Sequence, residues 1–128
     1  MSTSKHSISL ERAKQLTSSY RKNKKKVLKD EYHNKATLPV CETFEREAFD
    51  ELLSQPGCVS IRFYFGMDEE MNVTLVFVGV DENDKDMLPQ QAGDMTMMAT
   101  SAGGDAGVYD NSTRCPPTCP PDSTLNTD

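Results

Sequence analysis

Apolar residues recur at the three- and four-residue steps of an amphipathic helix in two stretches of the N-terminal half. The first stretch predicts a helix over residues 9–28, with Ser9 as its N-cap and with fraying after Arg21. The apolar stripe of this helix consists of Leu10, Ala13, Leu16 and Tyr20. The opposite face carries Arg and Lys side chains, so the helix is predicted to be amphipathic and basic.

The second stretch predicts a helix over residues 43–54 that begins at an N-cap Thr43. Glu45 and Glu47 fall in its first turn, where the helix dipole favours acidic side chains. The pair Pro56-Gly57 ends it. Its apolar stripe consists of Phe44, Ala48, Phe49, Leu52 and Leu53.

After this helix the pattern changes from the period of a helix to that of a β-strand. Residues 58–65 alternate apolar and polar side chains, which predicts a strand with one buried face. Residues 73–80 are rich in β-formers and almost continuously apolar, which predicts a second strand covered on both faces. The two strands are expected to form an antiparallel hairpin, and Met87-Leu88-Pro89 is expected to start a third, edge strand.

These elements predict an α+β fold, with N-terminal helices packed on a small antiparallel hairpin or sheet and a long irregular C-terminal tail. We expect a flexible N-terminus over 1–8, a core domain over 9–89 and a tail rich in Pro, Ser, Thr and Gly over 90–128. The tail has too few large apolar side chains to offset the entropy of ordering it. We therefore expect a neighbouring subunit to hold it.

The predicted core is too thin to bury all of its own apolar surface. A lone hairpin is marginally stable in water, and helices on one side would leave the other face of the sheet uncovered. We expect that face to mediate self-association into a homo-oligomer, through Tyr64, Val76, Val78 and Val80.

Charge is distributed unevenly along the chain, whose formal net charge is −6. Residues 1–35 carry ten Lys or Arg and three Asp or Glu, a net +7, which leaves −13 for the remaining residues. Such asymmetry indicates a basic arm that meets an acidic partner, either an acidic protein such as a neighbouring copy or a nucleic acid. Nucleic acid is the less favoured partner, because no stacking aromatics or known binding motif accompany the lysines. The residues expected to bind the acidic partner are Arg21, Lys22, Lys24, Lys25 and Lys26.

Four cysteines are the main candidates for site chemistry. Cys115 and Cys119 flank a Pro-Pro-Thr segment and, together with Cys41 and Cys58, supply enough thiolates for a tetrahedral zinc site. Two alternatives are a redox disulfide and ordinary thiols in a proline-stiffened tail. The sequence favours ordinary thiols, because a second paired motif of the kind that zinc sites use is missing.

Other features weigh against an enzyme and a membrane protein. The sequence contains no P-loop, no GxGxxG motif and no nucleophile elbow, and its only histidines are His6 and His33. An apolar run long enough to cross a bilayer is missing, and no signal-peptide pattern follows Met1. We therefore expect a non-enzymatic cytoplasmic protein.

Four segments of the sequence carry a family resemblance: residues 38–44, 55–59, 64–68 and 115–121. Together they resemble short uncharacterised proteins from Bacteroidetes-type bacteria, over most of the chain. The resemblance implies a bacterial cytoplasmic setting, and it carries no assigned activity or functional residue. From the sequence we therefore expect an interaction or self-assembly protein, with a cysteine-based site and nucleic-acid binding as the alternatives.

Overall fold

The computed structural model describes residues 4–89 and 107–127. The helices are α1 (Leu10–Asn23) and α2 (Arg46–Leu53), and the strands are β1 (Cys41–Thr43), β2 (Ser60–Met67), β3 (Val73–Val80), β4 (Asp86–Met87), β5 (Val108–Tyr109) and β6 (Thr113–Cys115). The α+β class predicted from the sequence is confirmed. In the part of the chain described here, no helix combines the length and apolar character needed to cross a membrane.

The chain divides into two compact units. The first unit combines Met1–Cys41 with Arg114–Asp128, and the second is the continuous segment Glu42–Thr113. This division differs from the single core predicted over 9–89. The sequence of the first unit contains eleven Lys or Arg and five Asp or Glu, a net +6, and that of the second contains three and fifteen, a net −12. The units therefore carry opposite net charge.

A four-stranded antiparallel sheet forms the centre of the second unit. Strand β3 pairs with β2 on one side and with β4 and β5 on the other. The predicted hairpin of two strands is therefore correct, and β3 has the bounds that the sequence predicted. Strand β2 begins and ends two residues later than predicted, because it extends to Met67, which pairs with Val73.

The register of the hairpin assigns each side chain to one face of the sheet. Phe63 lies opposite Phe77, and Tyr64 lies opposite Val76. Directly paired residues of antiparallel strands project from the same face. One face therefore carries the phenylalanines, and the other carries Tyr64 with the even-numbered valines of β3.

Phe77 is the centre of an aromatic core on the first of these faces and is fully buried. Its ring stacks on Phe49 of α2, with centroids 4.7 Å apart, and contacts the edge of Phe44 at 4.8 Å. Tyr109 of β5 lies 5.0 Å away and Phe63 of β2 lies 5.4 Å away. Aromatic pairs of this kind add about 0.5–1.5 kcal/mol each to the stabilisation by burial. They hold α2 and three strands together.

The C-terminal end of α2 packs closely on β3. Leu52 is fully buried, which contributes about 1.5–3 kcal/mol. Its side chain lies beside Gly79, where an added Cβ would be 2.9 Å from Cys58 Sγ and 3.5 Å from Leu52 Cδ2. The glycine in β3 therefore leaves room for Cys58, in the segment that follows the helix, while Leu52 would meet a Cβ there only in ordinary van der Waals contact.

Helix α2 starts later than the sequence predicts. The predicted N-cap, Thr43, lies instead in β1, which pairs with β6. The observed N-cap is Glu45, whose side chain makes no capping hydrogen bond. Pairing of β1 with β6, which lies about 70 residues further along the chain, thus overrides the local capping preference of threonine.

In the first unit, helix α1 begins as predicted, with the Ser9 hydroxyl accepting from the Arg12 N–H at 3.0 Å. The α-helix ends at Asn23, and a 3₁₀ turn over Lys24–Val27 completes the predicted span. No residue of α1 is buried. Its contacts are peripheral, such as the hydrogen bond from the Tyr20 hydroxyl to the Pro39 carbonyl at 2.6 Å.

The C-terminal tail is more ordered than its composition predicts. Strands β5 and β6 both lie within the span 90–128 that was expected to be irregular, and residues 90–106 of that span lie outside the described part of the chain. In the first unit, the Val40 N–H donates to the Cys115 carbonyl at 2.7 Å. Hydrogen bonds to strands from earlier in the sequence therefore order parts of the tail whose composition alone would not order them.

Candidate functional site

The candidate site is the outer edge of β2. In the described part of the chain, β3 is the only strand that pairs with β2, so the other side of β2 is an open edge. An edge strand presents backbone N–H and C=O groups that another strand can pair with. Strand β2 is eight residues long, towards the upper end of the usual range of about 3–10 residues, so the open edge is long.

Large apolar side chains are exposed along this edge. The exposed fraction is 80% for Phe65, 55% for Met67 and 45% for Phe63. Val59 precedes the strand and is also exposed, as is Met71 in the loop after it. Exposed apolar residues that lie singly on a surface are ordinary, but a contiguous group along an open edge indicates a binding surface.

The one charged residue of β2, Arg62, is directed across the sheet. Its Nη1 donates to Asp86 Oδ1 at 2.6 Å, and its Nη2 donates to Asp84 Oδ1 at 2.5 Å. The Tyr64 hydroxyl donates to the other oxygen of Asp86. Because β3 lies between β2 and β4, the Arg62 and Tyr64 side chains must cross β3 to reach Asp86. We call these four residues the cross-sheet cluster.

The cluster shifts the pKa values of its members. The pKa of Asp86 is lowered, chiefly because Tyr64 donates a hydrogen bond to it and further because Arg62 lies beside it. The pKa of Tyr64 is raised, first by its hydrogen bond to Asp86. Hydrogen bonding to Asp86 also raises the pKa of Arg62. At neutral pH, Asp86 is therefore ionised and Arg62 is charged, while Tyr64 keeps its proton and donates it to Asp86.

The cluster corrects the prediction of which residues face a partner. Tyr64, Val76, Val78 and Val80 share a face as expected, and Tyr64 is 46% exposed. Val78 and Val80 are only 2% and 3% exposed, so they are not available for self-association. Side chains that run from β2 to β4 pass over the β3 valines and help to cover them. Val76 is half-buried.

The alternation in residues 58–65 predicted a buried face that includes Phe63 and Phe65, and Met67 was expected to lie beyond the strand. In the structure all three side chains are exposed. Among the described residues of the second unit, α2 is the helix that packs on the sheet, and it covers the end of that face near Phe77 and Gly79. Eight residues of helix span about 12 Å and eight residues of strand about 26 Å, so α2 leaves part of the face open.

The structure does not assemble the predicted zinc site of Cys41, Cys58, Cys115 and Cys119. Cys115 is bonded to Cys119 as a disulfide, and Cys41 and Cys58 are free thiols. Within residues 4–89 and 107–127, no three His, Cys, Asp or Glu side chains form a group that could hold a metal ion. Sulfurs joined to each other are not thiolate ligands, which is the physical reason for this correction.

The disulfide also corrects the expectation of ordinary thiols in the tail. Cys115 is 4% exposed, and Cys119 lies in the exposed turn that follows β6. Persistent disulfides are rare in reducing compartments, so this bond is at odds with the reduced thiols expected of a cytoplasmic protein. A redox role for the pair stays a prediction.

The predicted acidic-partner residues fall into two groups. Arg21 Nη1 donates to the Leu125 carbonyl, and Lys24 Nζ donates to the Leu38 carbonyl at 3.1 Å. Burial lowers the pKa of Lys24, as does the charge of Lys25 next to it. These two side chains are therefore part of the fold of the first unit. The side chains of the second group are exposed on the surface: Lys22, Lys25 and Lys26.

Comparisons with known proteins found no family model, no curated protein and no solved structure that matches this chain. The resemblance to short bacterial proteins therefore stays a prediction. The function has to be argued from the geometry of the β2 edge and its surroundings.

Proposed function

We propose that this chain is a small non-enzymatic protein that self-associates, with β2 of one copy pairing edge to edge with β2 of a second copy. The observation that carries the proposal is an open strand edge flanked by exposed Phe63, Phe65 and Met67. Joined sheets would satisfy the open backbone groups and bury these side chains together.

The edge lacks the devices by which soluble proteins prevent such pairing. Edge strands are usually blocked by an outward charge, a proline or a bulge. Strand β2 contains no proline, and its eight residues pair with β3 in continuous register. Its one charge, Arg62, is paired with Asp84 and Asp86 across the sheet. Nothing in β2 itself therefore opposes the approach of another strand.

A second copy fits this edge better than an unrelated strand, because the sequence of β2 is complementary to itself. In a two-fold antiparallel pairing centred on Tyr64, Phe63 lies opposite the partner subunit's Phe65. Arg62 then lies opposite the partner subunit's Gly66, so that like charges do not meet. The apolar face of one sheet continues into that of the other, as an isologous interface requires.

Opposite charges on the two units support contacts between copies as well. The exposed lysines Lys22, Lys25 and Lys26 lie in the unit with net +6, and the other unit has net −12. A basic arm of one copy can therefore be attracted to the acidic unit of its neighbour. This contribution would be screened by salt, whereas the apolar edge contact would persist.

The test is the solution mass of the wild-type chain and of Phe65→Lys, measured by light scattering after size exclusion. The wild type is expected at twice the chain mass of 14.3 kDa. Phe65→Lys places a charge in the pairing edge and is expected to weaken association by about tenfold or more. Since Phe65 is 80% exposed, the variant should keep the wild-type near-UV circular dichroism.

Leu53→Lys is the matched control, because Leu53 is an apolar side chain that is 52% exposed and belongs to α2, not to β2. It should associate like the wild type. A wild-type chain that stays monomeric at low and high salt would rule out the proposal. Equal weakening by both lysine variants would show that general apolar contact, and not β2 pairing, drives association.

A further inference from the structure

The disulfide between Cys115 and Cys119 closes a turn at the end of β6, in the first unit. Two of the three residues between the cysteines are prolines, which have no backbone N–H to donate. The third is Thr118, whose N–H donates to the Arg114 carbonyl at 2.9 Å. The disulfide therefore constrains a turn that has few backbone donors of its own.

The two cysteines of this bond differ in their access to solvent. Cys115 is 4% exposed, whereas Cys119 is exposed in the turn. Thiol–disulfide exchange begins when a thiolate attacks one of the two sulfurs, and its rate depends on access to that sulfur. An incoming thiol can therefore approach Cys119 much more easily than Cys115. Exposed disulfides are also the ones that are reduced and formed again, while well-protected ones persist.

The backbone beside the turn connects the C-terminal segment to residues 36–40 of the same unit. The Val40 N–H donates to the Cys115 carbonyl at 2.7 Å, and Arg114 Nη2 donates to the Ala36 carbonyl at 3.1 Å. A disulfide restricts the conformations that its loop can adopt, and reduction restores them. Because the Cys115 carbonyl is itself an acceptor in this contact, reduction should loosen the contact.

We propose that Cys115 and Cys119 form a thiol–disulfide exchange site that reacts with a small thiol such as glutathione, and that its reduction loosens the C-terminal segment. A glutathione thiolate attacks Cys119 Sγ and forms a mixed disulfide there. The bond to Cys115 breaks, and Cys115 leaves as a thiolate that takes up a proton.

A second glutathione thiolate completes the reduction. It attacks the glutathione sulfur of the mixed disulfide and releases Cys119 as a thiolate, which also takes up a proton. Two electrons have then passed from two glutathione molecules to the cysteine pair, and oxidised glutathione is the other product. This site lies in the first unit, whereas β2 lies in the second, so it does not rest on the proposed self-association.

The first test is the oxidation state of the full chain after equilibration with mixtures of reduced and oxidised glutathione. Acid quenching, alkylation and peptide mass spectrometry assign the state of each cysteine. The Cys115–Cys119 pair is expected to change from a disulfide to two alkylated thiols within the range of mixtures. A pair that stays a disulfide in every mixture would be a structural bond, and a pair that is never oxidised would not exchange. Either result would overturn the proposal.

Two single variants test which sulfur is attacked. Cys115→Ser leaves the exposed Cys119 as the thiol, and Cys119→Ser leaves the buried Cys115. Both variants lack the disulfide, so each is the matched control for the other. Cys115→Ser should form a mixed disulfide with oxidised glutathione about tenfold faster or more, because thiol reactivity follows exposure. Equal rates would contradict the assignment of Cys119 as the attacked residue.

Amide hydrogen exchange tests the structural effect of reduction. The Val40 and Thr118 amides should exchange about tenfold faster in the reduced chain than in the oxidised chain, because the contacts beside the turn open more often. Cys41→Ser removes a free thiol of the same unit and should show the same difference between the two states. Identical exchange in both states would show that the disulfide does not hold the C-terminal segment, and would overturn the proposed effect of reduction.

Discussion

Asp86 is the residue on which the cross-sheet cluster depends. It accepts from both Arg62 and Tyr64, and its side chain is only 21% exposed. Without this carboxylate, Arg62 and Tyr64 would each lose the hydrogen-bond acceptor that β4 supplies. Arg62 would then be held by Asp84 alone, whose side chain is 86% exposed. The Asp86 carboxylate therefore holds Arg62 and Tyr64 across the sheet and pairs the charge of Arg62.

The lowered pKa of Asp86 makes a prediction about acid stability. A carboxyl group whose pKa is lower in the folded state than its unfolded value of 3.8 stabilises the fold above that value. The stabilisation is lost as pH falls through the folded pKa. Asp86→Asn should therefore lower Tm at neutral pH, and its difference from the wild type should shrink as the pH falls below 3.8 and the Asp86 carboxyl takes up a proton.

Thermal unfolding followed by circular dichroism across this pH range measures the difference. Glu82→Gln supplies the control, because it exchanges a carboxylate for an amide on an exposed residue in the same loop. Its Tm should match the wild type at neutral pH. A Tm deficit of Asp86→Asn that is as large in acid as at neutral pH would mean that packing, and not the charge of Asp86, causes it.

At the scale of elements, α1 differs from the other helix in that it buries no residue. Most helical stability in proteins comes from packing of an apolar face, so α1 depends more than α2 on its local signals. The main one is its N-cap, where the Ser9 hydroxyl accepts from the Arg12 N–H. Lysines beyond Asn23 are expected to repel each other, which agrees with the change to a 3₁₀ turn there.

Removal of this cap should have a measurable cost. Ser9→Ala is expected to destabilise α1 by about 1 kcal/mol, because the Arg12 N–H loses its partner. Amide exchange within α1 should then be about fivefold faster. Ser9→Asp restores an acceptor and adds a favourable charge at the helix N-terminus, so it should exchange as slowly as the wild type. Similar exchange in the Ala and Asp variants would show that Ser9 is not a stabilising cap.

The bounds of an element were predicted correctly where its own sequence pattern determines where it begins and ends. Strand β3 has apolar β-formers over its whole length and polar loops at both ends, and its bounds were predicted correctly. Strands β5 and β6 are only two and three residues long, and they exist because a partner strand pairs with them. A local pattern cannot indicate such pairing, and the start of α2 was misplaced for the same reason.

The candidate site was predictable in position but not in composition. Alternation in residues 58–65 marked the strand that forms it, and Tyr64 was correctly expected to be exposed. Val78 and Val80 are buried where they pair with Arg62 and Asp86, and a local sequence pattern does not indicate those pairings. The disulfide between Cys115 and Cys119 was one of several pairings that four cysteines allow.

At the scale of the whole molecule, the two units differ in how their chain segments are arranged. The second unit is one continuous segment, whereas the first joins two segments that are separated by the whole of the second in sequence. Bringing distant segments together costs loop-closure entropy that a continuous segment avoids. The second unit should therefore be the one that folds without help.

This reasoning predicts that the isolated fragment 42–113 folds. The fragment contains all five rings of the aromatic core around Phe77, together with Leu52 and the four-stranded sheet. It should therefore retain the near-UV circular dichroism of packed aromatic rings and a cooperative thermal transition.

Phe77→Ala in the same fragment should abolish both signals, because truncating a buried phenylalanine costs about 3–5 kcal/mol, which is most of the stability of a small domain. Mixed peptides 1–41 and 114–128 should show little fixed structure, because α1 buries no residue to hold them together. A fragment 42–113 without a cooperative transition would instead mean that its core is complete only in the whole chain.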